Sequence, residues 1–212
     1  MTDSPDGSSA GAALEQVEAL ARAGASLDAV ARYRELLAAE PGNAEVRLRL
    51  AQLLDRLEDG EEAVALLSQG LGRDPDRVEF LFLRGTILGR LRRYEESEAD
   101  LRRVLRSRPG DPSAEYELGL LAWRRGLTLN AVEHFRRSLE RRPDDSRTAY
   151  HLGDALNQLG NLPAAKDALE SAIRAGPRDA KAHHLLGRVL DRLGQVEEAR
   201  DMYQRARELG GA

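Results

Sequence analysis

The chain has no cysteine, which removes disulfide staples, thiolate nucleophiles and cysteine-ligated zinc or iron–sulfur sites together. Aromatic residues are scarce, at 4% of the 212 residues. Ala, Leu, Arg and Glu, all strong helix formers, stand where strand-forming residues would otherwise be. An all-α protein is expected, stabilised by packing alone. No apolar run approaches the roughly 20 residues that a membrane-spanning helix needs, so no membrane insertion is expected. Residues 1–9 are polar and acidic, with Pro5 and Gly7, and lack the basic start and apolar stretch of a secretory leader. They read as a disordered tail, and a cytoplasmic location is the expectation.

Lysine is also nearly absent, occurring only at Lys166 and Lys181, so arginine carries almost all the positive charge. The net charge of −4 is uneven. Residues 1–77 hold 8 basic and 15 acidic side chains, residues 78–145 hold 14 and 12, and residues 146–212 hold 10 and 9. No part is basic enough to point to nucleic acid by charge alone.

What the chain does have is a period. Pro41, Pro75, Pro109, Pro143 and Pro177 stand 34 residues apart. Each follows an apolar-periodic segment and precedes polar residues, where proline ends one helix and lets the next begin. A second interruption falls near Gly24, Asp59-Gly60, Arg92-Arg93, Gly126, Gly160 and Gly194. Each period is thereby split into two short helices. The first carries Leu-Ala or Leu-Gly at its seventh and eighth places: Leu50-Ala51, Leu118-Gly119, Leu152-Gly153 and Leu186-Gly187. The second carries a small residue and, four places on, a large one: Ala29/Tyr33, Ala63/Leu67, Ser97/Leu101, Ala131/Phe135, Ala165/Leu169 and Ala199/Tyr203. Small residues let two helices approach closely, and large ones fill the groove that remains.

This pattern resembles the tetratricopeptide repeat family, whose unit is a helix–turn–helix reading W-x2-L-G-x2-Y, then A-x3-F, then P. The fifth unit matches best, as Ala149, Leu152-Gly153, Leu156, Ala165, Leu169 and Pro177. In this register the units run 10–43, 44–77, 78–111, 112–145, 146–179 and 180–212. The resemblance implies a right-handed superhelical solenoid of antiparallel helix pairs forming a single domain over 10–212. Three units depart from the pattern. The first has Gln16-Val17 in place of Leu-Gly, so its leading helix is expected to be the least well packed. The third has Arg84 before Gly85, with Phe80, Leu81 and Phe82 expected to supply the missing apolar contact. The sixth has Gly211 where the proline would stand. Its second helix either serves as its own polar cap or docks on a further domain, a partner or a second copy, so a homo-oligomer through this end is one expectation.

Catalysis needs convergent groups in a pocket that excludes water, and the repeat offers no such constellation. Neither GxGxxG nor the phosphate-binding GxxxxGK pattern occurs, and the four histidines form no HExxH or His-x3-His pair. No enzyme activity, cofactor, metal or small-molecule substrate is therefore expected. His151 and His184 fall at adjacent first-helix places, with Asp154 nearby. They read as exposed or peptide-contacting imidazoles, a metal site being the alternative. Arginines crowd the second helices of units three and four, but the glutamates interleaved with them point to a solvated, salt-bridged face. RNA or an acidic partner on that face is the alternative.

In the resembled family, peptide ligands lie against the first helices, at their second, fifth, ninth, twelfth and thirteenth places. Carried onto this sequence, those places imply a partner site at Phe82, Arg90, Tyr116, Leu120, Trp123, Arg124, Arg147, Tyr150, Asp154, Asn157, Lys181, His184 and Arg188. Aromatic anchors flanked by arginine make strong protein-binding sites, and the composition suits an acidic segment with apolar residues. The same aromatics also serve packing between neighbouring hairpins. The carboxylate clamp of chaperone-binding members is not reproduced: Tyr116, Leu120, His151, Lys181 and Leu185 keep only its lysine. The expected function is a protein–protein scaffold or adaptor. A register this tight makes a direct prediction. Replacing Ala131 or Ala165 by a bulky residue should cost about 1–3 kcal/mol by overpacking, read as a lowered midpoint in urea unfolding, whereas an unchanged curve refutes the register.

Overall fold

The computed structural model describes residues 14–20 and 22–210; the expected tail at 1–9 lies outside them, as do residues 10–13 at the start of the first expected unit. The described residues form helices joined by turns, without a strand. They are α1 (14–20), α2 (Ser26–Ala39), α3 (Ala44–Arg56), α4 (Gly60–Leu71), α5 (Val78–Arg90), α6 (Tyr94–Ser107), α7 (Pro112–Arg124), α8 (Thr128–Arg141), α9 (Ser146–Gln158), α10 (Leu162–Ala175), α11 (Ala180–Arg192) and α12 (Val196–Gly210). Two compact units divide within α6, between Arg103 and Val104. In the first, α3 packs on α2, α4 and α5; in the second, α7/α8, α9/α10 and α11/α12 pair closely and α9 touches both α7 and α11.

The last place of each period starts the next first helix. The side chains of Asn43, Asp111, Asp145 and Asp179 accept main-chain N–H groups one turn on, satisfying donors that a helix start leaves open. Arg77 stands at the same place without a capping hydrogen bond, and its guanidinium lies 5.2 Å from the Phe80 ring centre instead. The turn inside each hairpin is equally periodic. Gly24, Glu58, Arg92, Gly126, Gly160 and Gly194, 34 residues apart, all take left-handed φ, the conformation that ends a helix with least strain on glycine. The interruption expected at Asp59-Gly60 therefore turns on Glu58. Gly60 is the buried first residue of α4, where an added Cβ would come 3.3 Å from Ile87.

Within a hairpin, the eighth place of the first helix faces the large residue of the second. A Cβ on Gly119 would lie 2.6 Å from the Phe135 ring, and one on Gly153 would lie 2.5 Å from Leu169 Cγ. Both distances are below any real carbon–carbon contact, so the helices approach only because these Cβ atoms are missing. The small partners Ala29, Ala63, Ser97, Ala131, Ala165 and Ala199 are all buried. In residues 104–212 the core runs from Tyr116 and Phe135 through Leu152, Leu156 and Leu169 to Leu186, Val189 and Leu190. Val17, at the glycine place of the first unit, is fully buried.

Arg84 occupies the place of the consensus leucine in the third hairpin, and the gap is closed by charge. Phe80 and Leu81 are buried and Phe82 is half-buried. The Arg84 guanidinium holds Asp100 with two bonds, 2.7 and 2.8 Å, and donates to Ser68 Oγ at 2.8 Å. The Asp100 side chain is only 5% exposed. Removing one partner strands a buried charge, so Asp100→Ala should cost about 3 kcal/mol, while the double variant Arg84→Leu/Asp100→Ala should recover most of that loss. Chemical unfolding of the three proteins checks both statements.

Candidate functional site

The first helices of residues 104–212 bring an aromatic cluster together. Tyr116 on α7, 4% exposed, lies 5.9 Å from Phe135 and 5.8 Å from His151, centre to centre. His151 on α9 also meets Phe135 at 5.8 Å, Tyr150 at 5.3 Å and Trp123 at 6.3 Å. The Arg147 guanidinium, itself exposed, covers the Tyr116 ring at 4.4 Å, a cation–π contact. Burial pushes the Tyr116 hydroxyl up to about 12, against the pull of Arg147. Burial also pushes the His151 imidazole down to about 4, and the charges of Arg147 and Arg124 add to the shift. His151 is half-buried in the middle of the cluster and packs there as a ring among rings. Leu120 and Trp123 are half-buried against the same core, and Arg124 is exposed at the end of α7.

A second feature opens beside it, an open cleft of about 650 Å³ between α9, α11 and α12. Five of the sequence-predicted residues line it: Tyr150, Asp154, Lys181, His184 and Arg188. Asp154 is half-buried, and burial holds its carboxyl above the usual range while Arg188 and a bond from Gln158 pull it back. His184 packs on Tyr203 at 5.4 Å, and the Tyr203 hydroxyl donates to Asp191 at 2.6 Å. Tyr203, Ala206 and Arg207 complete the wall from α12. Sequence reasoning confined to first-helix places missed these three. The 34-residue register held the signal, because Tyr203, Ala206 and Arg207 stand where α10 has Leu169, Ala172 and Ile173.

Asn157 is 5% exposed and serves the scaffold: its main-chain carbonyl accepts Arg192 Nη1 at 2.8 Å and its side-chain oxygen accepts the same nitrogen, tying α9 to α11. In residues 1–103, Arg90 is paired with Asp55 and so ties α5 to α3 in the same way, and Phe82 is half-buried on α5. That unit has its own cleft of about 330 Å³, lined by Glu18, Arg22, Tyr33, Arg49, Gln52 and Arg56. The arginine-rich second helices carry the expected ion pairs, Arg102–Glu98 at 2.7 Å and Arg137–Glu133 at 3.9 Å. Among the described residues no group of three or more histidine or acidic side chains is placed to hold a metal ion, and no helix is long and apolar enough to cross a membrane.

Tetratricopeptide repeat family models match residues 82–146, 116–165 and 150–212, and a second model of the same description matches 20–83. Among solved structures, PilW, described as a widely conserved type IV pilus biogenesis factor, superposes with a TM-score of 0.83 at 21% identity, covering 94% of this chain and 92% of its own. MamA from Desulfovibrio magneticus RS-1 superposes at 0.71 with 24% identity, over 79% of this chain and 94% of its own. YrrB, described as a TPR protein with an unusual peptide-binding site, gives 0.66 at 19%, over 84% and 91%. At such identities these likenesses show the fold alone, the all-α tetratricopeptide arrangement of helix pairs. No curated protein sequence matches the chain.

The lowered titration of His151 makes stability depend on pH with a definite sign. Between its ordinary value of 6.5 and about 4, the unfolded chain binds a proton that the folded chain does not. Stability is therefore full above pH 6.5 and falls as the pH drops toward 4, by up to roughly 3 kcal/mol from this group. His151→Phe should flatten that part of the profile relative to wild type, measured by urea unfolding at half-unit steps of pH.

Proposed function

Because the chain belongs to the tetratricopeptide repeat family, we propose that it is a non-catalytic scaffold or adaptor that holds a segment of a partner protein against the first helices of residues 104–212. The observation that carries this reading is the open cleft of about 650 Å³, whose lining includes Tyr150, Asp154, Lys181, His184 and Arg188. Its surface joins aromatic faces to cations, which suits a segment carrying apolar and acidic side chains. Arg147, exposed above Tyr116, extends the same character along α9. The peptide-binding site named for YrrB supports the reading by analogy of fold. The Asp154 and His184 side chains act here as contacts for the bound segment, not as an acid–base pair. A cytoplasmic location is part of this proposal.

The test uses exposed residues, because Trp123 packs into the aromatic cluster and its loss would confuse folding with binding. Wild type and Arg147→Glu/Lys181→Glu are used as bait in an extract of the source organism, with bound proteins identified by mass spectrometry. A partner bound by wild type and weakened at least about tenfold by the charge reversal is expected. A partner retained equally by both proteins moves binding away from this face, to the arginine-rich second helices or to the first unit.

A further inference from the structure

Repetition allows each hairpin to be compared with the one 34 residues earlier, and the comparison identifies what the cleft is for. The fifth hairpin is covered by the next first helix, α11, which packs down on α10: Ala172 and Ala182 are buried in one cluster, with Tyr150 and Ile173 packed against it, and Leu169 is fully buried. The counterparts in the last hairpin are less covered. Tyr203 and Ala206 are partly exposed, while Arg207 and His184, the counterparts of Ile173 and Tyr150, are exposed. These four line the cleft together with Lys181 and Arg188. The cleft is therefore the seat that a first helix fills one hairpin earlier, and none of the described residues fills it here.

The seat also differs in chemistry from the one it repeats. Leu169 has become Tyr203, Ile173 has become Arg207 and Tyr150 has become His184, so two apolar contacts are now polar or charged. Lys181, Arg188 and Arg207 form no ion pair with a carboxylate among the described residues, and Asp154 is the one acid in the lining. An apolar helix laid over Lys181 and Arg207 would desolvate both without compensation, and Arg188 has only the nearby charge of Asp154 to offset it. What stays unchanged is the alanine, with Ala206 standing where Ala172 admits the close approach of Ala182.

We propose that this seat binds an acidic amphipathic α-helix of a partner protein. A small residue of that helix faces Ala206 and Tyr203, and glutamates or aspartates flanking it meet Lys181, Arg188 and Arg207. The proposal rests on the binding reading above and narrows it to one occupant: a helix, acidic and supplied in trans. Adding a helix extends the stack by the same contacts that join its hairpins, and the acids supply the charge that the seat lacks.

The probe is a fluorescent, capped peptide copying residues 177–193, the helix that fills the seat one hairpin earlier, with Lys181→Glu, Arg188→Glu and Arg192→Glu. Its binding to the full chain is followed by anisotropy. Expected are saturable binding, loss on Ala206→Trp, weakening of at least about tenfold on Arg207→Glu and retention on Ala206→Ser, all in proteins with the wild-type thermal melt. The proposal is overturned if the acidic peptide does not bind, or if the unsubstituted peptide binds as tightly, since the seat then takes a repeat helix regardless of charge. Equal binding of a scrambled, non-helical acidic peptide also overturns it, but leaves the broader binding reading standing. So does a partner from the extract that is lost with Arg147→Glu/Lys181→Glu yet kept with Ala206→Trp. Self-association of the wild type in sedimentation, abolished by Ala206→Trp, would make the occupant a second copy and likewise overturn it.

Discussion

Everything in this chain depends on how closely two helices of one hairpin can approach. The distance is set at a single crossing, where the eighth residue of the first helix meets the large residue of the second. Gly119 against Phe135 and Gly153 against Leu169 leave no room for a methyl group, so the crossing fixes both the spacing and the rotation of each pair. Once spacing and rotation are set, the remaining first-helix positions have assigned directions. In α11 the third-place Ala182 turns toward the preceding hairpin and the second, fifth and ninth places, Lys181, His184 and Arg188, are left at the surface, whereas the fifth-place Tyr116 of α7 is buried under Arg147. The candidate binding face is thus a by-product of packing.

That is why so much was readable in advance. The periodic prolines and the small–large pairs specify where helices end and which residues meet, and the structure has Ala29, Ala63, Ala131, Ala165 and Ala199 buried as the register requires. Less legible were positions where a second solution replaces the consensus. Glu58 and Arg92 adopt the left-handed turn that glycine takes elsewhere, and no composition rule marks them; only their place in the period does. Arg84 reads as a defect in the pattern until its partner Asp100, on the other helix, is seen to face it. Polar residues at the fourth place are similar. Arg47 reaches the carbonyls of Pro41 and Leu66, Glu115 pairs with His134 at 2.7 Å, and the His183 ring lies 2.9 Å from the Asp179 carbonyl oxygen. All three are buried, and the compensating groups come from separate segments or from main chain.

The site was legible in part for a related reason. Family places pick out first-helix side chains that point away from the core, which gathered Tyr150, Asp154, Lys181, His184 and Arg188 into one cleft. The same places do not distinguish a free side chain from one tied to a neighbour, and so they included Asn157, which Arg192 holds, and Arg90, which is paired with Asp55. They were also blind to α12, because the last second helix lines the cleft only where no further hairpin covers it among the described residues. The electrostatics follow from that openness: burial shifts His151 and Tyr116 strongly inside the array, while the cations of the cleft stay accessible.

Sequences built from near-copies face a hazard that single-core proteins avoid, since any second helix can in principle close on the wrong first helix, one period away or in another molecule. The Arg84–Asp100 pair guards against this at the third hairpin. Should α6 fold against Leu50, Leu118, Leu152 or Leu186, the residues at the place of Arg84, Asp100 would be buried against an aliphatic side chain with its charge unmet. Only α5 offers the matching guanidinium. The pair works as an address label within the array, penalising hairpin exchange and shifted pairing during folding in a way that a uniformly hydrophobic set of repeats could not.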